Sequence, residues 1–412
     1  MRVILIFFLI VHTSTMLSAN TLVVSAAGPF HTIKEAIEMA GPGDTVLIKG
    51  GVYREGNLLI EKSIVLIGQG SPVLDGQFRY EILTIRANNV TVSGLTFIDT
   101  GWGSLNDIAA IGVSDAKNIR IAGNILKNTF FGIHFSNSRD SWIEGNQLES
   151  HATEEQEIGN GVHLWKCDNI TIHNNTIKGH RDGIYFEFAT HCLITGNRSE
   201  QNLRYGLHFM FSHNDEYRDN FFVNNSAGVS VMYTKGVKMI NNTFEHNWGS
   251  ASYGLLLKEI SDSFVTGNKF LENSIGIYME GSSRIMLTEN IFSRNGYAVK
   301  LQASCDGNVF TRNNFSSNTF DIATNGILVL NTVNGNYWDR YEGYDLNKDN
   351  IGDIPYRPVS MYSMVVERIP TAVLLWRSFL VFLMDRAEKA IPVLTPENLK
   401  DESPSIKPYD II

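Results

Sequence analysis

An asparagine that returns about every 22 residues constrains this chain more than any other feature. It stands at Asn124, Asn146, Asn175, Asn197, Asn220, Asn242, Asn268, Asn290, Asn314 and Asn336, at spacings of 22, 29, 22, 23, 22, 26, 22, 24 and 22 residues. Gly, Asn, Asp or Glu usually precedes it, and the segment before alternates apolar with polar residues, as in Ile119-Arg120-Ile121, Ile170-Thr171-Ile172 and Phe264-Val265-Thr266. About eight residues after most of these Asn comes a second signature, Gly followed by a short alternating strand. It reads Gly132-Ile133-His134-Phe135, Gly161-Val162-His163-Leu164, Gly183-Ile184-Tyr185-Phe186 and Gly206-Leu207-His208-Phe209, and continues through Gly228, Gly254 and Gly276. Strands of period two, punctuated this often by Asn and Gly, leave no room for long helices. Such a unit buries its apolar face only by stacking on copies of itself. The pattern predicts an all-β chain, a right-handed parallel β-helix of about ten to twelve rungs. The recurring Asn is assigned to a turn, where it tolerates the left-handed conformation, and its amide can bond from rung to rung.

The ends of the chain break the pattern. Met1-Arg2, the uncharged apolar run Val3 to Val11 and the small residues Ser18-Ala19 have the layout of a secretory signal over residues 1–19, which predicts an extracytoplasmic mature protein. Residues 20–340 form the β-helix, entered through an amphipathic cap helix over Thr32 to Ala40. Residues 341–364 are irregular, and 365–412 hold an apolar helix, expected over Pro370 to Lys389, and a proline-rich tail. Cys167, Cys192 and Cys305 occupy different places in the repeat and read as packing residues rather than a disulfide framework. A net charge of −9 argues against nucleic acid as a partner, because that binding neutralises phosphates with Lys and Arg.

The long intervals place their extra residues at one corner of the rung. Segments 150–159, 246–253 and Asp99 to Asp107 share a phase, and insertions in solenoids commonly mark a working face. On the adjoining strand the third residue points outward. The predicted external ladder is His134, His163, Tyr185, His208, Ser230, Leu256 and Tyr278, beside Ser136, Trp165, Glu187, Met210, Met232, Lys258 and Glu280. His208, Met210 and Met232 fall on three adjacent outward positions, and an imidazole with thioethers suits a soft ion such as Cu(I). The alternative is a partly aromatic face that docks a partner. A second ion is suggested by Asp345, Asn347, Asp349 and Asp353, whose alternation resembles the first part of a calcium loop, although Tyr356 stands where the bidentate Glu belongs. A tight hydrogen-bonded turn is the competing explanation. For an enzyme acting on polysaccharides, the nearest set is His180 as base, with Arg181, Asp182 and Glu187, but the columns lack paired carboxylates. Trp376, Phe379, Phe382 and Leu383 lie on a helix too apolar to stand free, so it caps the last rung or docks a partner, and it is too short to span a bilayer.

Together, the signal, the cap with Pro42-Gly43-Asp44-Thr45, the Gly-x-His-x rungs, and Asn336-Tyr337-Trp338-Asp339 through Asp353-Ile354-Pro355-Tyr356-Arg357-Pro358 resemble the NosD family, periplasmic maturation factors of nitrous oxide reductase. The resemblance covers essentially the whole mature chain, and its C-terminal block is more specific than the rungs. It implies a copper-binding, non-enzymatic assembly protein of the periplasm, held at the inner membrane through an ABC transporter. The partners implied are the transporter's membrane subunit and ATPase, nitrous oxide reductase, whose copper–sulfur centre is matured, and a copper-donating lipoprotein. It implies no catalytic residues. The positions for copper remain His208, Met210 and Met232, with His134 and His163 nearby, and the helix near Trp376 would contact the membrane subunit. A lyase- or epimerase-like enzyme and a surface carbohydrate-binding solenoid are the alternatives.

Overall fold

The computed structural model describes residues 19–103, 107–151, 154–326, 330–390, 396 and 399–411, and the expected signal over 1–19 falls outside them but for its last residue. The chain winds as a right-handed parallel β-helix of about 13 turns, slightly more than the asparagine count implies. Its strands stack in three sheets of 14, 12 and 13 members. The first turns, from Thr21–Val24 to Thr96–Ile98, stack without a ladder asparagine, so the spacing of that residue could not count them. The helix Ile33–Met39 closes the open end, with Thr32 Oγ1 accepting from the Glu35 N–H and Ile33, Ala36 and Ile37 buried on the first turn.

Inside the solenoid, identical positions meet identical residues. Phe222, Phe244, Phe270, Phe292, Phe315 and Trp338 form one stack with ring centroids 4.2–5.5 Å apart, close to the spacing of neighbouring strands. The asparagines form a buried ladder in which each Oδ1 accepts from the backbone and side-chain N–H of the Asn one turn earlier. Asn146 N and Nδ2 thus lie 2.9 and 3.0 Å from Asn175 Oδ1. Two corrections follow. The left-handed residue is the one before the ladder Asn, such as Gly123, Gly145, Asn174 or Gly196, while the Asn itself is chosen for its amide. The ladder member near the C-terminal end is Asn313, and Asn314 instead bonds the Tyr409 backbone. A second amide ladder, Asn202, Asn225, Asn247, Asn273, Asn295 and Asn318, runs along another corner.

The last turn is closed by the tail. Asp401, fully buried, takes the place of the next ladder amide and accepts from Gly335 N, Asn336 N, Asn336 Nδ2 and Trp338 Nε1 at 2.8–3.2 Å. Helices Met361–Arg368 and Phe379–Ala390 flank a 3₁₀ segment, Pro370–Leu375. The single helix expected from Pro370 is therefore broken, and the chain turns at Arg377, which has φ of 65°. Phe320 of the last rungs packs with Tyr362, Val366 and Val381. No helix among the described residues is long and apolar enough to cross a membrane. All three cysteines are buried and free.

Candidate functional site

The strands that follow each insertion pair in register. His134 pairs with His163, His163 with Tyr185, Tyr185 with His208, and His208 with Ser230. The column continues through Leu256 and Tyr278, and the adjoining column sets Glu187 against Met210 and Met210 against Met232. The rings touch along the column: His134 stacks on His163 at 4.7 Å, and Tyr185 stands edge-on to His163 at 4.8 Å and to His208 at 5.0 Å.

One expectation is overturned. The ladder is not an open wall, because His163 and His208 are only 9% and 4% exposed, and Ser230 and Leu256 are buried as well. Phe131 at the start of the strand and the described residues of the three insertions cover it. Phe131 lies 5.9 and 5.5 Å from the rings of His134 and His163. Trp102 Nε1 donates to the Gln156 carbonyl, joining the first insertion to the second across 54 residues. Glu155 reaches Arg204 at 3.8 Å, and Tyr253 of the third insertion stacks on Tyr205, which lies 4.7 Å from His208. Between Arg181, Arg204 and the Glu154–Gln156 segment an open cleft of about 570 Å³ remains. The surface available for docking beside the ladder is the adjoining turn, where Phe188, Phe211 and Tyr233 stack 5.5 and 5.1 Å apart and are 39–45% exposed.

Under this roof the imidazoles lack hydrogen bonds. His134 Nε2 and both ring nitrogens of His163 and His208 have no partner among the described residues. His208 Nδ1 lies 3.5 Å from the Asp182 carboxylate, near enough for attraction but misaligned for a hydrogen bond. Burial holds His134 below the usual imidazole range although Asp107 opposes the shift. Burial holds His163 well below that range, with His134 and Arg181 pushing the same way. Both rings are therefore neutral at pH 7, the form in which imidazole binds metals. Tyr185 is pushed up to about 12 by burial and by the charges of Glu187 and Asp182, so its hydroxyl keeps its proton. It meets Met210 Sδ at 3.5 Å. Met210 and Met232 are half-buried.

The other expected sites fare differently. His180 does not face the cleft: it is fully buried behind the rung, and burial lowers it to about 4, so it is no surface base. Its neighbour Asp182 is the group that reaches the ladder, and it also lies 3.9 Å from Arg204. Calcium is not supported. Asp345 accepts from Lys348, Asp349 and Asn350 N–H, Asn347 from Asp349 N–H, Asp349 from Ile351 N–H and Asp353 from Leu346 N–H. The segment is a turn closed by its own side chains. Among the described residues, the three-member set of His, Cys, Asp or Glu whose ligand atoms converge within 4.8 Å is instead Asp107, His134 and His163. Asp107 was missed, although it ends a recognised insertion. Trp376 is partly occupied by the body of the protein, stacking on Tyr362 at 5.9 Å and edge-on to Phe320 at 5.6 Å. Phe379, Phe382 and Leu383 are 72%, 51% and 46% exposed.

A family model described as "Periplasmic copper-binding protein (NosD)" matches residues 150–343. The "Probable ABC transporter binding protein NosD" of Stutzerimonas stutzeri is 26% identical over 409 residues, covering 87% of this chain and 86% of that protein. The chain is thus similar to NosD proteins over most of its length. The NosD of Pseudomonas aeruginosa is likewise 26% identical, over 85% of this chain and 86% of its own. A second model, "Protein of unknown function (DUF1565)", matches residues 19–239. Among solved structures, a catalytic unit of a GH87 α-1,3-glucanase from Streptomyces thermodiastaticus superposes with a TM-score of 0.59 at 15% identity, over 74% of this chain and 66% of that one. The A-module of the Azotobacter vinelandii mannuronan C-5 epimerase AlgE6 does so at 0.50 and 15%, over 74% and 92%. At such identities these likenesses concern the fold alone.

Proposed function

We propose that this chain is a NosD-family protein, a periplasmic accessory protein that works with an ABC transporter to mature the copper–sulfur centre of nitrous oxide reductase, with copper as its cargo. The observation that supports this most is the ladder itself. A buried, hydrogen-bond-free imidazole, His208, shares its strand with Met210, and Met210 pairs with Met232. One nitrogen and two thioether sulfurs are a donor set for a soft monovalent ion, and the surrounding Tyr185, Tyr205 and Tyr253 limit access by water and oxidants. The residues thus fit the cargo. The names of the two relatives and of the matched family support the transporter and the periplasm. The exposed Phe379, Phe382 and Leu383, beside Trp376, suit contact with the transporter's membrane subunit, and the Phe188–Phe211–Tyr233 stripe suits a cargo donor or acceptor.

Anaerobic titration with Cu(I) against a competing chelator tests the cargo assignment. Met210→Leu with Met232→Leu, or His208→Gln, should weaken uptake at least tenfold. Unchanged uptake in both variants refutes the site. Co-purification with the transporter subunits tests the docking assignment, and it should be lost when residues from 365 onward are removed or when Phe379 and Phe382 become Glu. A second function is favoured by one observation: Arg204, which lines the open cleft, lies 3.9 Å from the buried Asp182, which in turn lies 3.5 Å from His208, a grouping of charged and acid–base side chains that a polysaccharide enzyme would need. Turnover of uronate polymers that disappears in Asp182→Asn would establish it in place of the assembly role.

A further inference from the structure

We infer that Asp107, His134 and His163 form a second metal site, specific for a divalent ion of borderline softness such as Zn(II), and separate from the soft-ion set at His208, Met210 and Met232. The three side chains offer one carboxylate oxygen and two imidazole nitrogens, all within 4.8 Å of one another. The two histidines come from adjacent rungs in strict register, and their rings stack at 4.7 Å with 26° between planes. A tetrahedral ion bonded at 2.0–2.1 Å holds its ligands roughly 3.3 Å apart, so binding requires side-chain rotation and no movement of the strands.

Two further observations point to a ligand. His163 is nine-tenths buried with neither ring nitrogen bonded, and His134 Nε2 beside it is unbonded as well. Unmatched buried polar atoms of this kind are destabilising, and an ion between them removes that cost. Finally, the ladder position one rung earlier is Gly112, whose backbone does not adopt a left-handed conformation. A Cβ there would come within 3.1 Å of the Glu81 carboxylate, so the glycine lets a further carboxylate approach one rung before His134. Asp107 is exposed, which opens the set to solvent on that side and leaves a coordination position for water or a further ligand.

The donor chemistry separates this set from the copper cargo. It holds no sulfur, and nitrogen–oxygen donors favour divalent first-row ions over Cu(I). Tyr185 stands between the two sets, 4.8 Å from His163 and 5.0 Å from His208. The site does not depend on the assembly role proposed above.

The test uses the full-length mature chain, stripped of metal and titrated with Zn(II) by calorimetry, with Co(II) as a spectroscopic probe. One Zn(II) per chain is expected, and Co(II) should give ligand-field absorption in the visible. His134→Gln and His163→Gln should each lower Zn(II) affinity at least tenfold and abolish the Co(II) bands. Met210→Leu with Met232→Leu should leave both unchanged. If His163→Gln fails to fold, Asp107→Asn on the exposed side carries the test, with a smaller loss and an altered Co(II) spectrum. Zn(II) uptake that survives both histidine variants, or that vanishes equally with the methionine pair, overturns the assignment, as does an adventitious, non-saturating stoichiometry.

Discussion

Replacing Asp401 by Ala should unfasten the last turns of the solenoid and leave the rest intact. Every ladder Asn up to Asn313 has the Asn of the following turn as acceptor, and Asn336 has Asp401 instead. The substitution strips the acceptor from five donors: Gly335 N, Asn336 N, Asn336 Nδ2, Trp338 Nε1 and Ser403 N. An orphaned buried donor costs about 1–3 kcal/mol. Water entering the vacated space recovers part of this, so the net effect is about 3–6 kcal/mol. In a solenoid, stability is a sum of rung and nearest-neighbour terms, so the loss is felt locally. With about 1.4 kcal/mol per factor of ten, the opening equilibrium of the last rungs should rise by roughly 10²- to 10⁴-fold. Hydrogen exchange followed by peptide mass spectrometry reads this directly: amides between 309 and 338 should lose protection, while those between 193 and 245 keep theirs. Asp401→Asn should fall between, since an amide oxygen can still serve Asn336 and Trp338 while its NH₂ opposes the Gly335 and Ser403 N–H groups. Unchanged exchange in the last rungs, or equal loss along the whole solenoid, would refute the capping argument.

Two further outcomes are expected. His180 is neutral in the fold, with its pKa lowered to about 4 by burial, and in the unfolded chain it takes a proton near 6.5. The unfolded state therefore binds more protons below pH 6.5, and stability falls as pH drops from there toward 4, by about 3 kcal/mol for this residue, with His134 and His163 acting in the same direction. Urea midpoints at pH 7.5 and 5.0 should show a weaker pH dependence in His180→Gln than in the parent, and equal slopes would contradict the burial argument. Gly228→Ala should lower stability by about 1–3 kcal/mol or more, because its Cβ would sit close to the Gly254 carbonyl of the next rung's backbone, which cannot rotate away. A thermal midpoint within a degree of the parent would rule that out.

Much of the architecture was readable before any coordinates, because stacked rungs must repeat their chemistry. The two-residue alternation around Ile133-His134-Phe135 and its counterparts fixed which side chains become vertical neighbours. What lies over that column could not be read the same way. Segments 150–159 and 246–253 carry no periodicity, and their contacts, Trp102 to Gln156 and Tyr253 to Tyr205, join residues 54 and 48 positions apart through single side chains. For that reason His163 and His208 were expected on an open wall and are found beneath a roof. Asp107 and Asp401 were missed for a related cause: each is a lone carboxylate outside the repeat, completing a set that the repeat begins. The Asp345–Asp353 segment shows the converse, since its oxygen alternation suits a cation loop and an Asx turn equally, and backbone N–H groups decide between them.

The pairing of His134 with His163 spans the 29-residue interval, and that of Ser230 with Leu256 the 26-residue one, yet neither slips register. The extra residues fall at one corner of the rung, and the next strand re-enters at its assigned height. The solenoid thus behaves as a ruler on which the covering segments can lengthen, shorten or change composition without disturbing the marks. Covering segments can therefore differ from one lineage to another while the column of side chains beneath keeps its spacing.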